Sequence, residues 1–188
     1  MNFIEDKTFK NKDFTTEKLI IAEYEACSFE GCNFSNADLS RITFLDCTFE
    51  NCDLSMANIS DTAFKDVQFT ECKLLGLHFD NCNQFLFEIH CENCFLNLAS
   101  FYKVSVKRSS FIACSMQEVD FSGADVSKID FQDGDLSKAI FNNTNIESTD
   151  FRTAKNYSID LRKNKMKKAK FSKDGIGGLL ECFDIEMS

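Results

Sequence analysis

The chain of 188 residues carries 21 Phe against three Tyr and no Trp, ten Cys, no Pro and a formal charge of −9. That length predicts one domain with a real core, and the acidic balance argues against a nucleic-acid or anionic-membrane ligand while admitting basic partners. No apolar run approaches the roughly eighteen residues of a membrane span, and the opening MNFIEDKTFKNKDF lacks the basic-then-apolar order of an export signal, so a cytoplasmic protein with reduced cysteines is expected.

Read in chain order, large apolar residues recur every fifth position: Phe9, Phe14, Leu19, Tyr24, Phe29 and onward without a gap to Phe79. A phase slip near 83–85 follows, and the series resumes at Leu86, Cys91, Leu96 and Phe101. It continues to Phe151, falters at Asn156 and returns at Leu161, Met166 and Phe171. Neither a helix nor a plain strand generates a five-residue period. The backbone must turn once per five residues.

Two positions before most of these large residues stands a smaller one, as at Cys27, Cys32, Ala37, Ile42, Cys47 and Cys52. Both members of the pair are read as pointing inward. Cys27, Cys32, Cys47, Cys52, Cys72, Cys82, Cys94 and Cys114 all occupy the small position, where free Cys acts as a small hydrophobe. Cys91-Glu-Asn-Cys94 spells CxxC, but no second such pair or nearby His pair completes a zinc site. The repeat phase explains both cysteines. No metal and no cofactor are expected.

The segments NADLS, GADVS, GDLS and FSGADVSKIDF carry a pattern that resembles the pentapeptide-repeat family, with its consensus A(D/N)Lxx, over roughly residues 9–171. The resemblance implies an all-β fold, a right-handed quadrilateral β-helix in which four pentads make one square coil. On that reading residues 1–173 form the solenoid, and 174–188 form a terminal module of a short helix and a short strand. Residues twenty apart should then stack, Phe101 on Phe121 on Phe141 and Phe111 on Phe131, Phe151 and Phe171. Columns of Val106, Val126 and Ile146 and of Leu96, Met116 and Leu136 lie between them, so Phe and aliphatic columns are expected to alternate.

Asp precedes the large residue at Asp120, Asp125, Asp130, Asp135, Asp150 and Asp160. Aspartate bonds turn backbone and is favoured in tight corners. Repeated along a rod, the same residues would also form an acidic surface resembling a phosphate backbone. Residues 1–161 hold 26 acids and 14 bases, whereas 162–173, RKNKMKKAKFSK, hold seven bases and no acid. Met166 and Phe171 keep the phase through that run, so it reads as a last coil, and the acidic body argues against direct nucleic-acid binding.

Beyond Phe171, Ile176, Leu179, Leu180 and Phe183 are spaced as one face of a helix, followed by an alternation at Ile185 and Met187. Such a short helix must pack on something. It either caps the open end of the rod or joins two rods. GLLECFDIEM resembles the terminal module of the quinolone-resistance, Qnr-like members, which implies a homodimer through Ile176, Leu179, Leu180, Phe183 and Ile185.

A filled solenoid offers no concave site, and His78 and His90 both fall at outward positions, so no enzyme is expected. The Qnr-like resemblance implies a DNA mimic that binds a type II topoisomerase such as DNA gyrase and protects it from quinolones. The alternative is a protein-binding scaffold with an unidentified partner, for which Tyr102, Lys103, Lys107 and Arg108 offer a mixed patch.

Overall fold

The computed structural model describes residues 2–183 and 185. Strands of three or four residues run, in chain order, as β1 Asn2–Glu5, β2 Thr8–Lys10, β3 Ala22–Glu25, β4 Ser28–Glu30 and β5 Thr43–Leu45. They continue as β6 Thr48–Glu50, β7 Ala63–Lys65, β8 Val67–Thr70, β9 Ile89–Glu92 and β10 Ser110–Ile112. Two all-parallel sheets result, β1-β3-β5-β7 and β2-β4-β6-β8-β9-β10. Pairs lie twenty residues apart, as in Phe29↔Phe49 and Phe44↔Phe64. Single bridges carry the same register onward, through Asp130↔Asp150 and Asp150↔Lys170. The chain is a parallel β-solenoid with four pentads to the coil.

Many corners between pentads are closed by backbone. Leu98 has φ +63°, and the Ala99 N–H donates to the Leu96 carbonyl at 2.9 Å, which is a type II turn. The same position is left-handed in nearly every pentad, and it is often filled by Asn or Asp, as at Asn36, Asn51 and Asp61. Those side chains tolerate the conformation better than most.

The twenty-residue stack is present in the core. Phe111 and Phe131 have ring centroids 6.1 Å apart at 16°, and Phe131, Phe151 and Phe171 continue the column at 5.3 and 5.2 Å. Phe101, Phe121 and Phe141 stack at 5.3 and 5.2 Å. Below the slip the same face carries Phe9, Phe29, Phe49 and Phe69, with Cys91 in register between Phe69 and Phe111. The alternation of aromatic and aliphatic columns holds only in the C-terminal half. In the N-terminal half Tyr24, Phe44 and Phe64 stand beside the Phe29 column, and Phe44 meets Phe49 edge to face at 5.3 Å and 79°. Edge-to-face contact is what lets neighbouring columns both be aromatic.

The cysteines do more than fill space. Cys52 Sγ donates to the Phe29 carbonyl of the coil below at 3.3 Å and accepts from the Cys32 N–H at 3.3 Å. Cys72 and Cys94 repeat both bonds one and two coils on. At corners built this way a thiol replaces the backbone bond of the type II turn. Thr62, Thr144 and Thr149 occupy the same inward slot and donate to the carbonyls of Leu39, Phe121 and Val126, each at 2.8 Å. Burial pushes the Cys47 thiol up to about 12, so it keeps the proton that its bond requires.

Two irregularities depart from the sequence reading. At the slip, β8 and β9 pair with an offset of 22, Phe69↔Cys91, and Phe87 rather than Leu86 fills the core. Phe87 is 5% exposed and Leu86 is 47% exposed, turned outward by φ +58°. At Asn156 the period shifts by one, and Tyr157 enters the core between Phe151 and Phe171, 5.7 Å from each.

The terminal segment is three short turns: 3-10 at Asp174–Ile176, α1 at Gly177–Leu180 and 3-10 at Glu181–Phe183. Leu179 closes the core, and the Gly178 carbonyl accepts from the Ile159 N–H at 2.9 Å. The expected strand falls, apart from Ile185, outside the described residues. Among the described residues no helix is long and apolar enough to cross a membrane.

Candidate interaction surface

The aspartates singled out in the sequence do not run along the rod. Being five apart, Asp120, Asp125, Asp130 and Asp135 take one side each of a single coil. The next coil places Ile140 over Asp120, Asn145 over Asp125 and Lys155 over Asp135. Only Asp130 and Asp150 stand one over the other, and Lys170 follows. The five-residue period that spaces these groups is also what distributes them around the square.

Their bonding is that of corner residues. Oδ1 accepts the N–H two residues on in Asp120 at 2.8 Å and in Asp125 and Asp135 at 3.1 Å. Burial opposes the charge of Asp135, but bonds from Ser137, Asn156 and Gln117 outweigh it and hold the carboxyl at about 2. Lys107 Nζ lies 2.7 Å from Asp125. Asp150, expected on the acidic surface, is only 8% exposed and is neutralised by Arg152 at 2.7 Å and Lys170 at 3.2 Å. The Arg152 guanidinium holds its carboxyl well below the usual carboxylate range. Asp130 is the most open of the group, and burial followed by the neighbouring Asp150 raises its pKa.

Acids that do stack lie elsewhere. Glu30 is in register with Glu50, and Glu5 with Glu25. Asp46 and Asp66, both left-handed corner residues at φ +52° and +53°, stand twenty residues apart on the edge between the two sheets. Glu71 and Glu92 lie with Glu30 and Glu50 at the other end of the strands of the longer sheet, where Lys10 pairs with Glu30 at 2.7 Å, so that the two acidic columns border one sheet face and together form an acidic margin. Residues 1–100 hold 17 acids against seven bases. Applying the twenty-residue test to charges as well as to core residues would have found this margin.

The other candidates separate in a similar way. Leu179 is buried and serves the cap, Leu180 is half-buried, and Ile176, Phe183 and Ile185 are exposed. The Arg162 guanidinium lies over the Phe183 ring at 4.7 Å. In the mixed patch, Lys103 Nζ sits over the Tyr102 ring at 4.7 Å, while Lys107 turns to Asp125 and Arg108 to Glu88 at 3.9 Å. Beside them Phe85 is 70% exposed. A shallow groove of about 250 Å³ there is lined by Gln84, Leu86, Phe87, Ser105, Lys107 and Arg108. A larger one, about 650 Å³, lies between the last coils and the terminal turns, with Asp160, Lys163, Glu181 and Cys182 on its walls. Its Asp160 is already held by Arg162 at 2.9 Å.

A square parallel solenoid with an inward pair per pentad defines a class, the β-helices built of five-residue sides. Residues 22–88 and 84–171 match the family model of the pentapeptide repeat region, and the chain belongs to that family. No curated protein matches the sequence. Among solved structures, a trypsin-treated variant of QnrB1, a plasmid-mediated fluoroquinolone resistance protein, is similar at 22% identity and a TM-score of 0.77, covering 100% of this chain and 92% of that one. Full-length QnrB1 is similar at 20% identity and a TM-score of 0.57, with 98% and 100% covered. At these identities the likeness is one of fold.

Proposed function

We propose that the protein acts without catalysis, as an acidic rod that occupies the basic DNA-binding groove of a type II topoisomerase such as DNA gyrase and shields that enzyme from quinolones. The observation that carries the reading is the acidic margin, where Glu30 and Glu50 lie in register and Asp46 and Asp66 stand one coil apart. Carboxylates repeated at the coil spacing of about 4.8 Å present short negative columns on both sides of one sheet face to a basic groove. Such complementarity governs encounter and specificity more than raw affinity. The fold shared with a fluoroquinolone resistance protein supports the same reading.

The working unit is a cytoplasmic homodimer, joined through the exposed Ile176, Phe183 and Ile185 with Leu180 at their side. Leu179 supports that surface from within the cap.

Supercoiling by DNA gyrase, titrated with the protein in the presence and absence of ciprofloxacin, tests the reading. Protection or inhibition at low micromolar protein is expected, and no effect across a wide titration removes it. One observation favours a second reading, a scaffold for a different protein. Phe85 and Leu86 project beside Lys107 and Arg108 at the slip, an apolar and basic surface that an acidic margin does not require.

A further inference from the structure

We propose that Asp66, Glu88 and His90 form a binding site for one divalent first-row transition-metal ion at the slip in the coil register. His90 Nε2 lies 3.4 Å from Asp66 Oδ1 and 3.5 Å from Glu88 Oε1, and the three donor atoms all lie within 4.8 Å of one another. Charge-assisted hydrogen bonds between such groups close to about 2.7–2.9 Å, so these separations are too long for good ion pairs. They match the distance between two ligands of one tetrahedral ion. Bonds of about 2.0–2.2 Å set ligand atoms about 3.3–3.6 Å apart.

The imidazole is oriented for this role. Its Nδ1 lies 2.9 Å from Ser110 Oγ on the coil above. With Nδ1–H donating to that hydroxyl, the Nε2 lone pair faces the two carboxylates, the outer bond that metal-binding histidines ordinarily make. His90 is held in register between Gln68 and Ser110. The Glu88 backbone is pinned on both sides, its N–H donating to Phe64 and its carbonyl accepting from Val67, at 3.0 and 3.1 Å. Arg108 approaches Oε2 of Glu88, leaving Oε1 for the ion. His90 and Glu88 are half-buried, and Asp66 closes the site from the outer side.

The slip creates the site. Two extra residues between β8 and β9 set Val67 opposite Ile89, which brings Glu88 over the Asp66 corner. One imidazole and two carboxylates neutralise a dication and suit zinc, manganese or iron(II), whereas calcium and magnesium favour oxygen alone. Three protein ligands leave at least one position open to water.

The test is zinc titration by calorimetry on the full-length protein carrying Cys182→Ser, which removes the one exposed thiol. One equivalent should bind, and His90→Gln, Asp66→Asn and Glu88→Gln should each weaken binding at least about tenfold. His78→Gln should leave it unchanged. Metal-free thermal melts of all variants should coincide with the parent, so that a loss of binding is not a loss of fold. Cobalt(II) should give the intense visible bands of a tetrahedral site without a thiolate charge-transfer band, and His90→Gln should abolish them. Zinc binding unaltered by the three substitutions, or absent from the parent protein, would overturn the proposal. So would a cobalt spectrum that does not respond to His90→Gln.

Discussion

The Cys72 thiol donates to the Phe49 carbonyl of the coil below at 3.3 Å and accepts the N–H of Cys52 at 3.4 Å. One sulfur thus satisfies two buried backbone groups at a corner that has no type II turn bond. Cys72→Ala should cost about 1–3 kcal/mol, the penalty of leaving such groups unpaired. Cys72→Ser, which keeps a donor and an acceptor in place, should cost less. Urea unfolding of both variants checks the order; equal losses would mean that only volume matters at this position.

The same bonding predicts thiol chemistry. Nine cysteines are buried and Cys182 is exposed, and burial raises the Cys82 thiol as it does that of Cys47. A thiolate-directed reagent at neutral pH should label one equivalent in the native protein and ten after unfolding. Mass spectrometry should locate the native label at Cys182.

Acid stability should depend on Asp150. Its carboxyl titrates below its unfolded value because Arg152 and Lys170 bond it. The stabilisation is therefore complete above the ordinary carboxylate range and is lost as pH falls through the lowered native value. Asp150→Asn should cost about 1.5–3 kcal/mol at pH 7, on the scale of bonds to charged groups, and the gap from the parent should narrow below about pH 3.8. A gap that stays constant between pH 7 and pH 3 would contradict the assignment.

Corner strain offers a gain. Leu98 is 60% exposed and sits at φ +63°, a conformation that costs a residue with Cβ about 1–2 kcal/mol. Leu98→Gly removes that cost and gives back part of it as chain entropy. A net stabilisation of about 0.5–1 kcal/mol is expected, read as a higher melting temperature. At the cap the sign reverses. A Cβ on Gly178 would collide with the Tyr157 carbonyl, so Gly178→Ala should loosen the terminal turns and raise amide exchange at Ile159.

The core was legible in the sequence because only large apolar residues can fill a square coil, and their spacing survives any choice of outward residues. Phe111 over Phe131 follows from that period once the resemblance to the pentapeptide-repeat family supplies four pentads to the coil. Of the two departures, the one at Asn156 has a polar residue at the phase position, so that Tyr157 beside it enters the core, and the one at the slip falls where apolar neighbours compete. Phe85, Leu86 and Phe87 are all suited to a core, and a period that counts two inserted residues cannot say which of these neighbours turns inward. The Asp120 to Asp135 series was misplaced for a different reason. A spacing of five along the chain is a quarter turn in space, and only a spacing of twenty runs along the rod. The triad of Asp66, Glu88 and His90 was not singled out, since its members meet only when the offset of 22 at the slip is applied to outward as well as to core positions.

The central functional claim is that the acidic margin is the surface a topoisomerase reads. The most direct measurement compares gyrase protection from ciprofloxacin by the parent and by a variant carrying Glu30→Gln, Asp46→Asn, Glu50→Gln and Asp66→Asn, with a second variant carrying Asp120→Asn and Asp135→Asn as control. Protection lost in the first variant and retained in the control is the predicted result. Protection unaffected by neutralising the margin would contradict it.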